Sequence, residues 1–319
     1  MPQTETWTIG RLLEWTTQYL KQHGADSPRL DAEVLLAEAL SCPRIQLYAA
    51  FADVPGEEIR TAFRDLVRRR AEGAPVAYLV GKREFYSLAF RVSPDVLIPR
   101  PETEFLVIRL LDLATPAEQA YSIADVGTGS GIIAVCAAKW LPASRVLAVD
   151  VSPKALEIAA ANAADHGVGD RLEFLQSDLF AAVPAERTFD FIVSNPPYVA
   201  EHEVAGLSRD VRDFEPRGAL VSGPNGTETL ARLIEQAAAR LKPGGWLLTE
   251  ISPQIEAAVR ALLLADERYE LAPTVKDLAG LARVIEARRN EHPVGRLAKP
   301  SFTSDGPAGR PTNPHGQNP

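Results

Sequence analysis

Two groups of residues have the types and the spacing that chemistry would need. The first is a glycine-rich run after a short apolar segment, Asp125-Val126-Gly127-Thr128-Gly129-Ser130-Gly131. A glycine turn between a strand and a helix lets a ligand approach the backbone closely, with N–H groups directed at it. The second is Asn195-Pro196-Pro197-Tyr198, whose two prolines stiffen the chain and lack N–H donors. Both runs therefore predict binding sites.

The spacing of the glycines narrows the choice of ligand. A dinucleotide fingerprint would require a glycine where Ile132 stands, and no Gly-Lys-Ser/Thr follows for a phosphate-binding loop. Asp150 and Asp178 end the next two strand-like runs. A carboxylate at such a position can accept hydrogen bonds from both hydroxyls of a ribose. The pattern fits an adenosine with a compact charged substituent, and we predict S-adenosylmethionine.

The Asn-Pro-Pro-Tyr run predicts a clamp for a planar group that carries an NH₂. One hydrogen would go to the side-chain oxygen of Asn195 and the other to the carbonyl of Pro196, with Tyr198 stacked on the plane. An amide or aromatic amine nitrogen is a poor nucleophile because its lone pair is delocalised. Two acceptors orient the nitrogen and raise its electron density, so no strong base is needed. We predict methyl transfer to such a nitrogen.

The surrounding runs predict an α/β fold in which these motifs share one edge of a mostly parallel sheet. Alternating apolar runs and alanine-rich stretches predict strands and helices, and the last two runs should pair antiparallel because only a short loop separates them. The predicted strands are Ser122–Val126, Arg145–Val149, Leu172–Gln176, Phe189–Ser194, Trp246–Ile251, Tyr269–Pro273 and Ala282–Ala287, and the predicted helices include Ile133–Trp140 and Pro153–Ala164.

The chain divides by composition into four parts. Residues 1–76 have helical periodicity and predict a small helical domain, and residues 77–99 alternate in the manner of a linking β-hairpin. Residues 100–290 carry both motifs and the predicted sheet. Residues 291–319 are rich in proline and glycine without apolar periodicity, so we expect a disordered tail.

Several other residues have more than one interpretation. Arg100, Glu102 and Thr103 lie in a proline-flanked loop that enters a helix, where they could contact the cofactor or cap the helix. Trp7 and Trp15 fit core packing better than partner contacts.

The whole-chain composition excludes several classes of protein. The 319 residues are 46% apolar and 24% charged, which is typical of a folded globular protein. The net charge of −8 has the wrong sign for holding nucleic acid through its phosphates. Cys42 and Cys136 are far apart, so neither a disulfide framework nor a zinc site is expected. With no signal peptide or membrane span in the sequence, we expect a cytoplasmic, monomeric enzyme that needs no metal.

Further runs carry a family resemblance. They are Gly81-Lys82-Arg83-Glu84-Phe85-Tyr86, Leu97-Ile98-Pro99-Arg100-Pro101-Glu102-Thr103-Glu104, Val211-Arg212-Asp213-Phe214-Glu215-Pro216 and Lys276-Asp277-Leu278-Ala279-Gly280. With the glycine turn and the clamp, they resemble the HemK/PrmC family of release factor glutamine methyltransferases, over about Gly10 to Arg288. The resemblance implies a class I, Rossmann-like methyltransferase with a seven-stranded, mostly parallel sheet, an antiparallel last strand and a small N-terminal helical domain.

The resemblance also implies the reaction and the role of each motif. The reaction would be methylation of the glutamine amide in the Gly-Gly-Gln motif of class I peptide chain release factors, which modulates translation termination. Gly127 to Gly131 would hold the methionine part of the cofactor, Asp150 the ribose, and Asp178 with Leu179 the adenine edge. Asn195 to Tyr198 would hold the glutamine, with Asn195 also near the cofactor, and the N-terminal helices and the hairpin would contact the release factor.

Two positions depart from the family pattern, and three other functions compete with this one. Ser252 stands where the family usually has a glycine, and Leu179 stands where an aromatic residue often packs on the adenine. The clamp would also suit an exocyclic amine of a nucleic-acid base, which the negative charge disfavours. An NAD-dependent oxidoreductase would need a third glycine in its fingerprint, which this sequence lacks. A non-catalytic scaffold that only binds the cofactor would not need the clamp.

Overall fold

The computed structural model describes residues 6–291, so the predicted tail from residue 292 onward lies outside the described residues. Five helices come first, the first four of them in the part of the chain where the periodicity predicts helices, and their apolar faces enclose a small core. Thr8 caps the first helix by accepting a hydrogen bond from the backbone N–H of Arg11 at 3.3 Å. The helices are α1 (Ile9–Gln22), α2 (Pro28–Ala39), α3 (Arg44–Ala49), α4 (Glu57–Ala71) and α5 (Val76–Val80).

The outer face of α1 differs from the prediction. Trp15 is 51% exposed and stacks on Tyr19, with ring centroids 5.0 Å apart. Trp7 packs edge-on against Trp15. Assigning Trp15 to the core was wrong, because the 3.6-residue period places it opposite Leu13 and Leu20, which are fully buried.

The β-hairpin is shorter than residues 77–99. Its strands are β1 (Lys82–Phe85) and β2 (Leu88–Arg91), and the preceding residues form α5, whose apolar side chains pack on the helical core. Gly81, with φ of 70°, ends α5 in the left-handed conformation that glycine favours. The strand prediction for residues 78–80 was wrong because tertiary packing favoured a helical turn there. Phe85 and Phe90 turn inward and join the core of the sheet.

The large sheet follows the predicted topology. Its strands are β3 (Ser122–Val126), β4 (Arg145–Asp150), β5 (Leu172–Gln176), β6 (Phe189–Ser194), β7 (Leu241–Glu250), β8 (Tyr269–Leu271), β9 (Val275–Lys276) and β10 (Ala282–Arg289). Their order is β5-β4-β3-β6-β7-β10-β8, with neighbours parallel from β5 to β7 and antiparallel around β10. The seven predicted strands are confirmed, and the further two-residue strand β9, too short to predict, pairs with β10.

Helices cover both faces of the sheet and separate two apolar cores. One face packs against α6 (Thr103–Leu113), α7 (Ile132–Trp140) and α8 (Pro153–Asp165), and the other against α11 (Glu228–Arg240) and α12 (Glu256–Leu264). The first seven residues of α7, 132–138, are apolar on every side, and all of them are buried between the sheet and the neighbouring helices. Within residues 6–291, no helix is both long and apolar enough to cross a membrane. The remaining helices are α9 (Arg209–Phe214) and α10 (Arg217–Leu220), with 3₁₀ turns at Gly169–Arg171, Glu201–Gly206 and Pro253–Ile255.

Candidate active site

The glycine turn between β3 and α7 lies beside a cavity of about 450 Å³ at the carboxyl ends of the parallel strands. Gly127, Gly129 and Gly131 all have positive φ, at 76°, 54° and 81°. A Cβ atom on Gly127 or Gly129 would meet nothing within 4 Å, whereas one on Gly131 would lie 2.9 Å from the Cβ of Ala159. The first two glycines therefore leave room for a ligand, and the third lets α8 approach.

The N–H groups of this turn are less available than the sequence suggested. Those of Gly127 and Thr128 donate to the carbonyl of Val149, and that of Gly129 donates to Oδ2 of Asp150 at 2.9 Å. Because these donors are satisfied within the protein, the turn can bind a ligand by close backbone approach and not by a row of free N–H groups.

Asp125, the last residue but one of β3, stabilises the glycine turn through hydrogen bonds on the buried side of the turn. Its side chain is fully buried, and Oδ2 accepts the hydroxyl of Thr128 at 2.7 Å and the N–H of Ala134 at 3.1 Å. Oδ1 is buried and, among the described residues, has no hydrogen-bond partner. Burial raises the pKa of Asp125 to about 7, although both hydrogen bonds favour the ionised form. The carboxylate thus fixes the turn without facing the cavity.

Asp150, at the end of β4, lines the cavity beside the glycine turn. Its two oxygens accept the N–H groups of Gly129 and Ser152, each at 2.9 Å. Burial raises the pKa of Asp150, opposed by these backbone hydrogen bonds. A carboxylate has about four acceptor positions, so lone pairs remain for two ribose hydroxyls. The residue thus suits its predicted role.

Asp178 and Leu179 line the same cavity beyond β5. The carboxylate of Asp178 is 56% exposed and pairs with Arg232 at 2.6 Å. Leu179 is buried and has φ of 50°, a conformation that a leucine rarely adopts and that marks a constrained position. In place of an aromatic ring, the aliphatic side chain of Leu179 forms part of the wall there.

The clamp follows β6, the strand next to β3, and Asn195, Pro196 and Pro197 line the cavity opposite the glycine turn. The amide nitrogen of Asn195 donates to the hydroxyl of Thr103 at 3.0 Å. Among the described residues, none donates a hydrogen bond to the amide oxygen of Asn195. The structure therefore brings the two predicted motifs into one cavity and leaves the acceptor of the clamp free.

Tyr198 lies differently from the predicted stacking geometry. Its ring packs against the core beneath the sheet edge, and its hydroxyl donates to Oε1 of Glu250 at 3.4 Å. Burial, together with the charge of Glu250, raises the pKa of the phenol. Tyr198 is not among the residues that line the cavity, so stacking on the target stays a prediction.

Arg100 and Thr103 both line the cavity, so their loop reaches the site, and contact of these residues with the cofactor stays a prediction. Glu102 precedes α6 as its cap residue, without a side-chain capping bond. Arg100 donates to Oε1 of Glu215 at 2.6 Å, and the other oxygen of Glu215 accepts the N–H of Ile98 at 3.3 Å. Burial raises the pKa of Glu215, opposed by Arg100. This pair ties the loop before α6 to the segment after α9 beside the clamp.

The sequence did not single out Glu250 as a functional residue. It ends β7, is 1% exposed and contacts the clamp from behind through Tyr198. The available signal was a carboxylate at the end of an apolar strand, Trp246-Leu247-Leu248-Thr249-Glu250. That signal marks a cap as readily as a site, so only the structure places Glu250 at the clamp.

Family models match two parts of the chain. The model described as PrmC N-terminal domain matches residues 11–81, and the one described as Methyltransferase small domain matches residues 103–209. The catalytic domain of hMettl16, solved in complex with a MAT2A 3′UTR hairpin, has the same fold, with a TM-score of 0.52 and 18% identity over 72% of this chain and 83% of that chain. Fold and family model together define a class I methyltransferase.

Curated relatives narrow the class further. The release factor glutamine methyltransferase of Rhodopirellula baltica is 51% identical over 291 residues, which cover 89% of this chain and 97% of that protein. That of Koribacter versatilis is 42% identical over 282 residues, covering 88% and 99%. The chain belongs to the release factor glutamine methyltransferase family.

Proposed function

We propose that this protein transfers a methyl group from S-adenosylmethionine to the side-chain amide nitrogen of the glutamine in the Gly-Gly-Gln motif of class I peptide chain release factors. The observation that carries the proposal is the position of Asn195. Its side chain lines the same cavity as the glycine turn, and its amide oxygen accepts no hydrogen bond from any of the described residues.

The cofactor half of the cavity, formed by Gly127–Gly131, Asp150, Asp178 and Leu179, fits S-adenosylmethionine. The open space over Gly127 and Gly129 admits a chain close to the backbone, and Asp150 retains acceptor positions for a ribose. When bound, the cofactor would supply an electrophilic methyl group on a sulfonium. The carboxylate of Asp150 lines this half and suits the positive charge of the sulfur.

The substrate half, formed by Arg100, Thr103, the Asn195–Pro197 clamp and Pro216, would hold the glutamine amide. Asn195 accepts one N–H through its side-chain oxygen, and the carbonyl of Pro196 accepts the other. Both hydrogen bonds strengthen as positive charge develops on the nitrogen, so they stabilise the transition state more than the ground state. Holding the amide in line with the methyl group supplies the rest of the rate through orientation.

The proton that leaves the nitrogen does not need a strong base. The clamp atoms are amide and carbonyl oxygens, which remain unprotonated near neutral pH, so they hold the N–H groups without removing a proton beforehand. The N–C bond forms as the S–C bond breaks, and the more acidic methylated nitrogen then releases its proton to water. The clamp thus acts by geometry and charge.

Labelling would test the proposal. The protein is incubated with S-adenosyl-[methyl-³H]methionine and either a release factor or the same factor with the Gly-Gly-Gln glutamine replaced by alanine. We expect label in the first and none in the second. Equal labelling of both factors, or of neither, would exclude the glutamine assignment.

A nucleic-acid arm separates the main competing function. The same reaction is run with ribosomal RNA and with duplex DNA, because the clamp would also suit the exocyclic amine of a base. We expect no label in either. Label confined to nucleic acid would replace the proposal by that alternative. A monomeric state and a cytoplasmic location, where release factors act, stay predictions.

A further inference from the structure

A single buried amide, that of Asn162 on α8, contacts both the hairpin and the glycine turn. Its Nδ2 donates to the carbonyl of Ser130 in the turn at 2.8 Å and to the carbonyl of Arg91 on β2 at 3.1 Å. Its Oδ1 accepts the backbone N–H of Arg91 at 2.7 Å. The side chain is fully buried, so water does not compete for these hydrogen bonds. Two segments that lie 71 and 32 positions away along the chain therefore meet on one side chain.

The three partners also determine the orientation of the Asn162 amide. Its NH₂ group has two N–H donors, and each of them meets one carbonyl. Exchanging the nitrogen and the oxygen would place an oxygen against two carbonyls and an NH₂ against the N–H of Arg91. Because all three hydrogen bonds would be lost, the amide has one favourable orientation.

The hairpin depends on the end of α8 for the outer edge of β2. In an antiparallel pair, alternate residues direct their backbone groups away from the partner strand, and at an edge those groups need other partners. Arg91 has Asn162 for both of its groups, and the carbonyl of Ala89 accepts Nε2–H of His166 at 2.8 Å. The side chain of Arg91 pairs with Asp165 at 2.5 Å. The edge of β2 is thus bound to this helix.

The glycine turn meets the same face of α8. One helical turn before Asn162 lies Ala159, the residue that a Cβ on Gly131 would approach to 2.9 Å. Ser130 is buried, and no backbone N–H of residues 6–291 donates to its carbonyl. Without Asn162 this carbonyl would be buried and unpaired, which is unfavourable. Asp125 maintains the shape of the turn, whereas Asn162 fixes the position of α8 against it.

We propose that Asn162 is a positioning residue for the cofactor half of the cavity, because it holds α8 and the hairpin against the glycine turn. Asn162 itself does not line the cavity, but Asp150, Ser152 and Ala155, at and before the start of α8, do. Loss of the amide lets α8 shift relative to the turn and changes the space in which the ribose would lie. The inference goes beyond the proposed function, since it does not depend on which nitrogen receives the methyl group.

Calorimetry with S-adenosylmethionine tests this role on full-length variants. Asn162→Ala removes all three hydrogen bonds, and Asn162→Asp, as a carboxylate, cannot donate to either carbonyl. In both variants the Kd for S-adenosylmethionine should rise about 5- to 50-fold, since the binding-competent arrangement is less populated in the free protein. The kcat at saturating S-adenosylmethionine should change less than about threefold, because Asn162 contacts no reacting group.

Two controls separate this role from a loss of stability. Asp165→Asn weakens the exposed ion pair with the side chain of Arg91, on the same helix, and should change the Kd less than about twofold. Val67→Ala leaves a cavity in the core of the helical domain, so it should lower the melting temperature and leave the Kd unaltered.

Hydrogen exchange on the wild-type protein gives a measurement that needs no variant. A contact that favours cofactor binding is itself favoured by bound cofactor, because coupling between two equilibria is reciprocal. Adding S-adenosylmethionine should therefore slow exchange of the backbone N–H of Arg91, which donates to Asn162. Exchange within α4, in the helical domain, should not change.

Each outcome supports or overturns the role of Asn162. A raised Kd in both Asn162 variants with an unaltered Kd in both controls supports it. A wild-type Kd in either folded Asn162 variant overturns it, as does an equal rise in either control. If neither variant folds, the exchange measurement decides, and an Arg91 rate that is the same with and without cofactor overturns the role. Failure to label a release factor would contradict the proposed function alone, because Kd and exchange are measured without release factor.

Discussion

A buried carboxylate lies behind each half of the cavity, and the two differ in how far along the chain their hydrogen-bond partners lie. Asp125 lies under the glycine turn and Glu250 behind the clamp, and each is fully buried with one oxygen that has no hydrogen-bond partner among the described residues. Asp125 accepts the hydroxyl of Thr128, and Glu250 accepts the hydroxyl of Tyr198. Burial raises the pKa of each to about 7. The partners of Asp125 are 3 and 9 positions away, whereas Tyr198 lies 52 positions from Glu250.

This difference separates a rigid half from an adjustable one. The glycine turn and its aspartate lie on one continuous segment, so the local chain already fixes their geometry. The clamp depends on three segments that meet only in the folded sheet, and its key amide has two orientations that differ by a rotation. We therefore expect changes in the cofactor half to affect stability and cofactor affinity, and changes in the substrate half to affect turnover.

The largest expected effect is that of Asn195→Ala. Removing an acceptor that acts on the developing charge should lower kcat about 100- to 1,000-fold, while the Kd for S-adenosylmethionine measured by calorimetry changes little. The exposed Asn225, which lies outside the cavity, gives a control in Asn225→Ala with kcat unaltered. A cofactor Kd that rose in parallel with the loss of kcat would remove the distinction between the halves.

Gly131→Ala tests the rigidity of the glycine turn. A methyl group there meets the Cβ of Ala159 at 2.9 Å, in addition to the unfavourable φ of 81°. We expect a loss of about 2–4 kcal/mol in the free energy of unfolding, from strain and overpacking together. Gly24 has φ of 79° with open space around it, so Gly24→Ala should show the smaller strain effect of about 1–2 kcal/mol. Equal losses at the two sites would show that α8 does not constrain the turn.

Asp125 should make stability depend on pH. Its pKa of about 7 in the folded protein exceeds that in the unfolded chain, so the folded state binds more protons at intermediate pH. The contribution of this group to the free energy of unfolding is therefore most favourable at low pH and falls as pH rises toward 7. Relative to Asp125→Asn, wild type should lose about 2–3 kcal/mol between pH 5 and 8 in urea denaturation. Parallel curves would refute the shift.

Asp150→Ala should have a smaller effect, confined to the cofactor half. Loss of charge-assisted hydrogen bonds to the ribose should weaken S-adenosylmethionine binding by about 1–3 kcal/mol in calorimetry. Asp150→Asn keeps the shape and one acceptor for the two N–H groups of Gly129 and Ser152, so it should bind S-adenosylmethionine more tightly than the alanine variant. An unchanged Kd in both variants would remove Asp150 from the ribose site.

Much of the fold was predictable because local signals agreed with one another. Three strands, Ser122–Val126, Leu172–Gln176 and Phe189–Ser194, have the predicted bounds, since apolar runs bounded by polar turns mark buried parallel strands. The prediction failed at residues 78–80 and at Trp15. At residues 78–80 the helical core decided the outcome, and a core is assembled from residues distant in sequence. The exposure of Trp15 instead follows from the 3.6-residue period of α1, which places it opposite the buried face.

The sequence by itself determined the class of fold and the positions of the glycine turn and the clamp, because each is encoded in a short run with its own spacing. Only the tertiary structure decided that Thr103 lies beside Asn195, that Glu250 meets the hydroxyl of Tyr198, and that Tyr198 packs into the core. The physical reason is the distance along the chain between the residues that interact. A glycine turn is fixed by local backbone preferences, whereas the orientation of an amide depends on which distant donor or acceptor the sheet brings against it.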